Sequence, residues 1–239
     1  MQEFFSKNFR MRRERCATIV AMSKAIKPIV VIILVIAVGA GAAVFLSRQS
    51  DEPPAADAAA FGLQLEAGTG HFRGPEKAEI TLVEFGDYQC PSCGAYHPFV
   101  KEILNRYPTQ VRFEFHHFPL VSIHPNAMAA HKAAEAAGEQ GHYWEMHDAL
   151  FDYQAQWSNK PDPKPVFAAI ANQIGINGAI LVQSMDNPKF QERILKDVQA
   201  GDKAFVQAVP TFFINRQPVH PRMGVQDFID LIEANLKKK

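Results

Sequence analysis

Ile80-Thr81-Leu82-Val83-Glu84-Phe85, Gly86-Asp87-Tyr88-Gln89 and Cys90-Pro91-Ser92-Cys93 follow one another without a break. An apolar, β-like run leads through a short polar link into a cysteine pair that opens a helix-forming stretch. The two sulfurs are one helical turn apart, close enough to bridge. In a strand–loop–helix context a Cys-x-x-Cys pair reads as a redox centre, not as a staple. At a helix N-terminus the Cys90 sulfur faces unpaired N–H groups and the positive end of the dipole, and both favour thiolate, the attacking species. Pro91 suits the opening turn because its missing N–H is not needed there. Cys93, one turn inward, is expected to be the more buried partner and to resolve a mixed disulfide by attacking Cys90. The bland alternative is a pair of buried structural thiols.

Downstream, Val111-Arg112-Phe113-Glu114-Phe115-His116 alternates as a half-buried strand does. Helices are expected from about 91 to 106, from Pro125 to about Gln140, and from Tyr143 to Gln154. Another is built on Val166, Phe167, Ile170 and Ile174 and is closed by Gly175. One more opens at Asn187-Pro188, with Phe190, Ile194 and Val198 on one face. Strand character returns at Thr211–Asn215 and near Gln217–His220, before a terminal helix from about 225 to 236. The expected class is therefore α/β, a sheet core interrupted by a helical subdomain at about 122–205. Phe99, Phe113, Phe115, Phe212 and Phe213 follow strand and helix spacing and are assigned to the core.

Upstream, the chain changes character. The 239 residues carry no formal net charge, with 47% apolar and 21% charged side chains, so no global field points to nucleic acid. Residues 1–27 hold Lys7, Arg10, Arg12, Arg13, Arg15, Lys24 and Lys27 against Glu3 and Glu14. Pro28 to Ser47 then carries no charge and is long enough for a bilayer core. The charge asymmetry places residues 1–27 in the cytoplasm and the domain outside the inner membrane, on the periplasmic or other extracytoplasmic side. A cleaved signal peptide is the competing reading, since Ala40-Gly41-Ala42-Ala43 offers small residues. Val44-Phe45-Leu46 extends the apolar run past them and favours an uncleaved anchor. Met22, with a basic flank of its own, is an alternative start. Residues 48–70, with Pro53-Pro54 and Gly68-Thr69-Gly70, read as a flexible linker to a domain at 71–239. Cys16 lies before the anchor, on the reducing side, and cannot meet the other two cysteines. His97, His116, His117 and His124 lack any metal-ligand spacing, so no metal is expected. His131, His142 and His147 are read as packing or surface histidines.

Val83-Glu84-Phe85-Gly86-Asp87-Tyr88-Gln89-Cys90-Pro91-Ser92-Cys93 resembles the active-site segment of DsbA-like thiol:disulfide oxidoreductases of the thioredoxin superfamily. Glu84 stands where such proteins often place a buried acid beneath the disulfide. Pro98 matches their helix-kinking proline, and Val209-Pro210-Thr211 is similar to their cis-proline loop. Gly141-His142-Tyr143-Trp144-Glu145-Met146-His147 resembles part of their inserted helical subdomain. The likeness covers about 71–239. Two departures stand out: Phe205-Val206-Gln207-Ala208 holds none of the glycines that many relatives carry ahead of the proline, and Pro91-Ser92 replaces the Pro-His of the strong oxidants. Ser92 brings no imidazolium charge, so a milder oxidant is expected.

The resemblance implies a thioredoxin-like fold behind a single N-terminal transmembrane helix. Cys90 and Cys93 would exchange disulfides and need no dissociable cofactor. Glu84, desolvated, would pass protons to and from Cys93; its ordinary alternative is a strand-edge glutamate paired with a lysine. Val209, Pro210 and Thr211 would present backbone to an extended substrate. The expected partners are exported proteins with cysteines and a membrane redox partner, either a quinone-linked oxidase or a thiol reductase. Oxidase is the favoured direction, since 48–70 offers no dimerisation domain of the kind oligomeric isomerases use. A reductase or isomerase, as in cytochrome maturation, and a substrate-holding chaperone are the alternatives.

Overall fold

The computed structural model describes residues 71–219 and 224–237. The expected basic segment, anchor and linker at 1–27, 28–47 and 48–70 lie outside the described residues. Among the described residues no helix is long and apolar enough to cross a membrane.

Ile80–Gly86 forms β2, in which Ile80, Leu82, Val83 and Phe85 are all buried. A strand apolar on both faces belongs at the centre of a covered sheet. It sits there: the order is β1-β3-β2-β4-β5, with β3 at Val111–His117, β4 at Thr211–Ile214 and β5 at Gln217–Val219. β2 and β3 run parallel, which requires a crossover, and α1 at Pro91–Arg106 supplies it. The other pairings are antiparallel. Sequence patterning does not announce β1, His71–Arg73, because three residues are too few to show a period.

Between β3 and β4 lie six helices, which confirms the interrupted sheet. They are α2 (Ala127–Gly138), α3 (Tyr143–Asp152), α4 (Gln154–Trp157), α5 (Lys164–Gln173), α6 (Gly178–Ser184) and α7 (Pro188–Lys203). α8, Val225–Leu236, closes the fold. Several boundaries differ from expectation. Pro125 precedes the N-cap Asn126 of α2 and is not in its first turn. The stretch expected to run unbroken to Gln154 ends at Asp152, and α4 follows as a separate turn. The Asn187 carboxamide oxygen does accept the Lys189 N–H, so the cap read from Asn187-Pro188 is present. Gly175 follows α5 with φ +88°, the left-handed position that a glycine takes at little cost.

Leu82, Phe113, Phe115, Phe212 and Phe228 are fully buried in the larger core, which continues through Trp157 and Phe167 into the helical insertion. Val83, Phe85, Phe118, Val206 and Phe213 form a smaller core apart from it. Phe99 is only half-buried, so it belongs to the rim of the core and not to its centre.

Candidate active site

Cys90 is the N-cap of α1, extended at ψ 122°, and Pro91 begins the helix. The helix start therefore turns the free N–H groups of Ser92 and Cys93 toward the Cys90 sulfur. The structure holds both cysteines as free thiols. Cys90 keeps 8% of its surface exposed, whereas Cys93 keeps none. The Cys90 thiol is lowered from 9.0 to about 6, chiefly by a hydrogen bond from Cys93 and also by the backbone N–H groups of Cys93 and Ser92. Burial and the Asp87 carboxylate work against that shift. Cys93 moves the other way: burial pushes its thiol well up, and Cys90 and Glu84 add to this. One sulfur is prepared to ionise and its neighbour is not. Pro91 and Ser92 both face outward, and Ser92 serves Cys90 through its main chain.

Val209-Pro210 is a cis peptide. It brings the Val209 carbonyl within 3.7 Å of Cys90 Sγ, where the thiol donates to it. Thr211 begins β4 opposite Phe85, and its hydroxyl donates to the Ala208 carbonyl at 2.7 Å. The glycine-free approach is accommodated by Phe205, which takes a left-handed φ of 57°. That conformation costs a non-glycine residue roughly 1–2 kcal/mol.

Glu84 lies on the central strand, between Phe115 of β3 and Phe212 of β4. It is 2% exposed, and its Oε1 has no hydrogen-bond partner among the described residues. Burial, with a smaller contribution from Cys90, raises its carboxyl from 4.5 to about 8. This is not a strand-edge glutamate paired with a lysine. Gly86 makes room for it: a Cβ there would lie 2.5 Å from the Phe115 ring and 3.0 Å from Glu84 Oε1.

Several residues that the sequence left unassigned complete the site. The Asp87 N–H donates to Cys93 Sγ at 3.4 Å. Its fully buried carboxylate accepts from the N–H groups of Gln89 (2.8 Å) and Leu120 (2.9 Å) and is 2.7 Å from His124 Nδ1. From the helical insertion, the Gln154 side chain donates to the carbonyls of Tyr88 (2.7 Å) and Cys90 (2.9 Å). Gln89 accepts from the Asn126 N–H and donates to the Ser158 carbonyl, both at 2.7 Å. The link between β2 and the cysteines is thus held by the insertion. Local pattern flags none of these contacts; Asp87 in a strand-to-helix link is the nearest thing to a signal.

Although the spacing of the histidines announces no metal site, the fold brings two histidine–carboxylate groups together among the described residues: His71, His117 and Glu135, and His97, His147 and Asp148. His131 and His147 are both buried.

A thioredoxin family model matches residues 66–234. The BdbD crystal structure from Bacillus subtilis superposes with a TM-score of 0.64 at 24% identity, covering 71% of this chain and 94% of that one. α-DsbA1 of Wolbachia pipientis gives 0.66 at 22% identity, covering 74% and 96%. At these identities the likenesses establish the fold. Among curated relatives, a Na(+)/H(+) antiporter NhaA 1 of Salinispora arenicola is 36% identical over 157 residues, which is 65% of this chain and 23% of that protein. The chain thus spans under a quarter of that relative's length. On the match across nearly the whole described domain, the chain belongs to the thioredoxin family.

Proposed function

We propose that this chain is a protein thiol:disulfide oxidoreductase that works through Cys90-Pro91-Ser92-Cys93, outside the cytoplasm and tethered by residues 28–47. The observation that carries this reading is the opposite treatment of two neighbouring thiols. Cys90, at about 6, is roughly ten parts thiolate to one of thiol at pH 7, while Cys93 is held protonated. A stable thiolate is a good leaving group, which favours passing a disulfide onward.

In the oxidising direction a substrate thiolate attacks Cys90 Sγ of the Cys90–Cys93 disulfide. The S–S bond breaks and Cys93 departs as thiolate. Glu84, protonated at neutral pH, supplies the proton that Cys93 needs in its buried position. A second substrate thiolate then attacks the substrate sulfur of the mixed disulfide and releases Cys90 as thiolate. The substrate loses two electrons and the enzyme gains them; a quinone-linked membrane oxidase would take them up again. The Val209 carbonyl beside Cys90 offers an extended substrate a main-chain acceptor. Val121 and Ile123, 56% and 67% exposed, stand on the loop whose Leu120 and His124 hold Asp87, so apolar surface suited to unfolded chains adjoins the centre.

A Cys90 thiol near 6 lies between the values of about 7 for thioredoxin and about 3.5 for the strongest oxidants. Such a value would suit a milder oxidant than the strongest of these enzymes. Two measurements test the proposal. A Cys93→Ala variant should accumulate mixed disulfides with exported proteins through Cys90. In intact cells the wild-type pair should be mostly bridged; a mostly dithiol pair would assign the chain to reduction or isomerisation. Full in vivo function in a Cys90→Ala variant would assign it to substrate holding.

A further inference from the structure

His97 lies one turn beyond Cys93 on α1, on the face turned toward α3 of the insertion. Its side chain is 95% buried, being 5% exposed, and its ring stacks on Phe151 and meets His147 edge-on. Burial so complete normally comes with a hydrogen-bond partner for each ring nitrogen. His97 Nε2 has none among the described residues. The nearest carboxylate oxygens, Oδ1 of Asp148 and Oδ1 of Asp152, are 3.7 and 3.9 Å away. These distances are too long for hydrogen bonds. They are close to the separation of two ligands on one zinc ion, about 3.3–3.5 Å for bonds of 2.0–2.1 Å at a tetrahedral angle.

The rest of a ligand set is in place. One nitrogen each from His97 and His147 and one Asp148 carboxylate oxygen lie within 4.8 Å of one another. His147 Nδ1 is 3.0 Å from the Tyr88 hydroxyl, which in turn is 3.2 Å from that of Tyr143. That contact orients the ring, as the outer-shell partner of a metal-bound imidazole does. Arg73 grips both Asp148 oxygens, Oδ1 at 2.6 Å and Oδ2 at 3.2 Å, so the Oδ1 that faces His97 would be shared between the guanidinium and the cation. Asp152, 54% exposed, gives the group an edge open to solvent, and Lys101 stands 3.7 Å from it. Arg73 and Lys101 oppose a cation. Lys101 is 41% exposed and can turn outward, whereas Arg73 is occupied by Asp148.

The second histidine–carboxylate group lacks this incompleteness. Glu135 Oε1 is already 2.7 Å from the Nε2 atoms of His71 and His117 and 2.9 Å from Nε of Arg193. Those three groups converge on one carboxylate oxygen, and among the described residues neither His71 nor His117 has an orphaned buried nitrogen.

We propose that His97, His147 and Asp148 form a binding site for a divalent cation of the zinc class, with Asp152 at its open edge, tying the active-site helix to the helical insertion. Two imidazoles and one carboxylate with an open fourth position are a ligand set typical of zinc. The site is separate from the cysteines and does not depend on their chemistry.

The test uses the full chain in detergent, with the Cys90–Cys93 disulfide formed and Cys16 alkylated so that no thiolate competes for metal. Calorimetric titration with Zn²⁺ should show one saturable site per chain, and Co²⁺ should give the visible bands of a four-coordinate, nitrogen-bound ion. Zn²⁺ should also raise Tm, since a cation that binds only the native state stabilises it. His97→Gln and Asp148→Asn should each weaken binding at least tenfold. His71→Gln, in the other cluster, should bind as wild type does. Asp148→Asn changes a partly exposed position and keeps the assay interpretable should His97→Gln fold poorly. The proposal is overturned by absence of a saturable site in the oxidised wild type. It is equally overturned by wild-type affinity in a folded His97→Gln or Asp148→Asn variant, or by loss of binding on His71→Gln.

Discussion

The backbone N–H of Asp87 donates to Sγ of Cys93 across 3.4 Å, while the carboxylate of the same residue is tied to His124 and to the main chain at Gln89 and Leu120. The buried thiol is therefore positioned by a residue that also puts a negative charge beneath the helix start. That charge opposes the ionisation of Cys90, which the Cys93 hydrogen bond and the Ser92 and Cys93 N–H groups promote.

Asp87→Asn removes the opposing charge and keeps the shape. The alkylation rate of Cys90 in the reduced protein, followed against pH, should have its midpoint below the wild-type value of about 6. At pH 5 the variant should react roughly twofold to threefold faster, which corresponds to less than half a pKa unit. A midpoint that stays in place or moves upward would show that Asp87 acts through geometry alone.

Gln154 reaches from α4 to the Tyr88 and Cys90 carbonyls, and a Cβ at Gly94 would lie only 3.0 Å from its Oε1. Gln154→Ala deletes two hydrogen bonds between the insertion and the start of α1. The expected loss of stability is about 1–3 kcal/mol. Amide hydrogen exchange should quicken at 88–94 well before it does so in β2 or β3. Uniform protection across the domain would mean that the insertion does not hold the redox centre in place.

Much of the centre was legible because its determinants are local. The N-cap position of Cys90 and the inward place of Cys93 follow from a strand, a link and a helix consecutive in sequence. Val209-Pro210 was legible through its resemblance to a cis-proline loop set just before an apolar strand. The central position of β2 is written in Leu82, Val83 and Phe85, apolar on both faces. What stayed hidden depends on pairs distant in the chain. Gln89 and Ser158 are 69 residues apart, and His117 and Asp197 are 80 apart. His97 and His147 lie on different helices, so no motif spacing joins them. A pattern of period 2 or 3.6 reports which face of an element is buried, but not which polar group it will meet there.

Asp197 is a case in point. It stands on α7 at 1% exposure, accepts the His117 N–H at 3.0 Å and lies 3.1 Å from His116 Nδ1. Burial disfavours charge on His116, yet Asp197 and Glu114 together raise its pKa above 6.5. Stability from this raised imidazole is fully present below 6.5 and is lost as pH rises through the folded-state value. Asp197→Asn should cost roughly 3 kcal/mol in urea unfolding at pH 6, since it leaves a buried cation short of its partner. The cost should shrink at higher pH, where His116 is neutral. A cost independent of pH would assign Asp197 to the His117 N–H alone.

Glu84 and Cys90, two of the shifted groups of the redox centre, give opposite pH dependences of stability. Glu84, raised from 4.5 to about 8, keeps a proton in the folded state that the unfolded chain has released, so stability falls as pH rises through that window. At 1.36 kcal/mol per unit this penalty is at most roughly 5 kcal/mol, reached above pH 8. Cys90, lowered from 9.0 to about 6, releases its proton earlier when folded, so the dithiol protein gains stability between those values, by at most roughly 4 kcal/mol. The disulfide form has no such thiol; its Glu84 escapes the Cys90 thiolate, which offsets only a smaller part of that gain. The dithiol-minus-disulfide stability difference should therefore grow between about pH 6 and 8, below the range in which the raised Cys93 thiol works against it, measured by urea unfolding of the two forms in parallel. Glu84→Leu should flatten the decline of the disulfide form between pH 5 and 8 and raise its stability at pH 8 by a few kcal/mol. A difference constant across pH 6–8 would mean that Cys90 titrates alike in the folded and unfolded chains, and a decline untouched by Glu84→Leu would place its origin elsewhere.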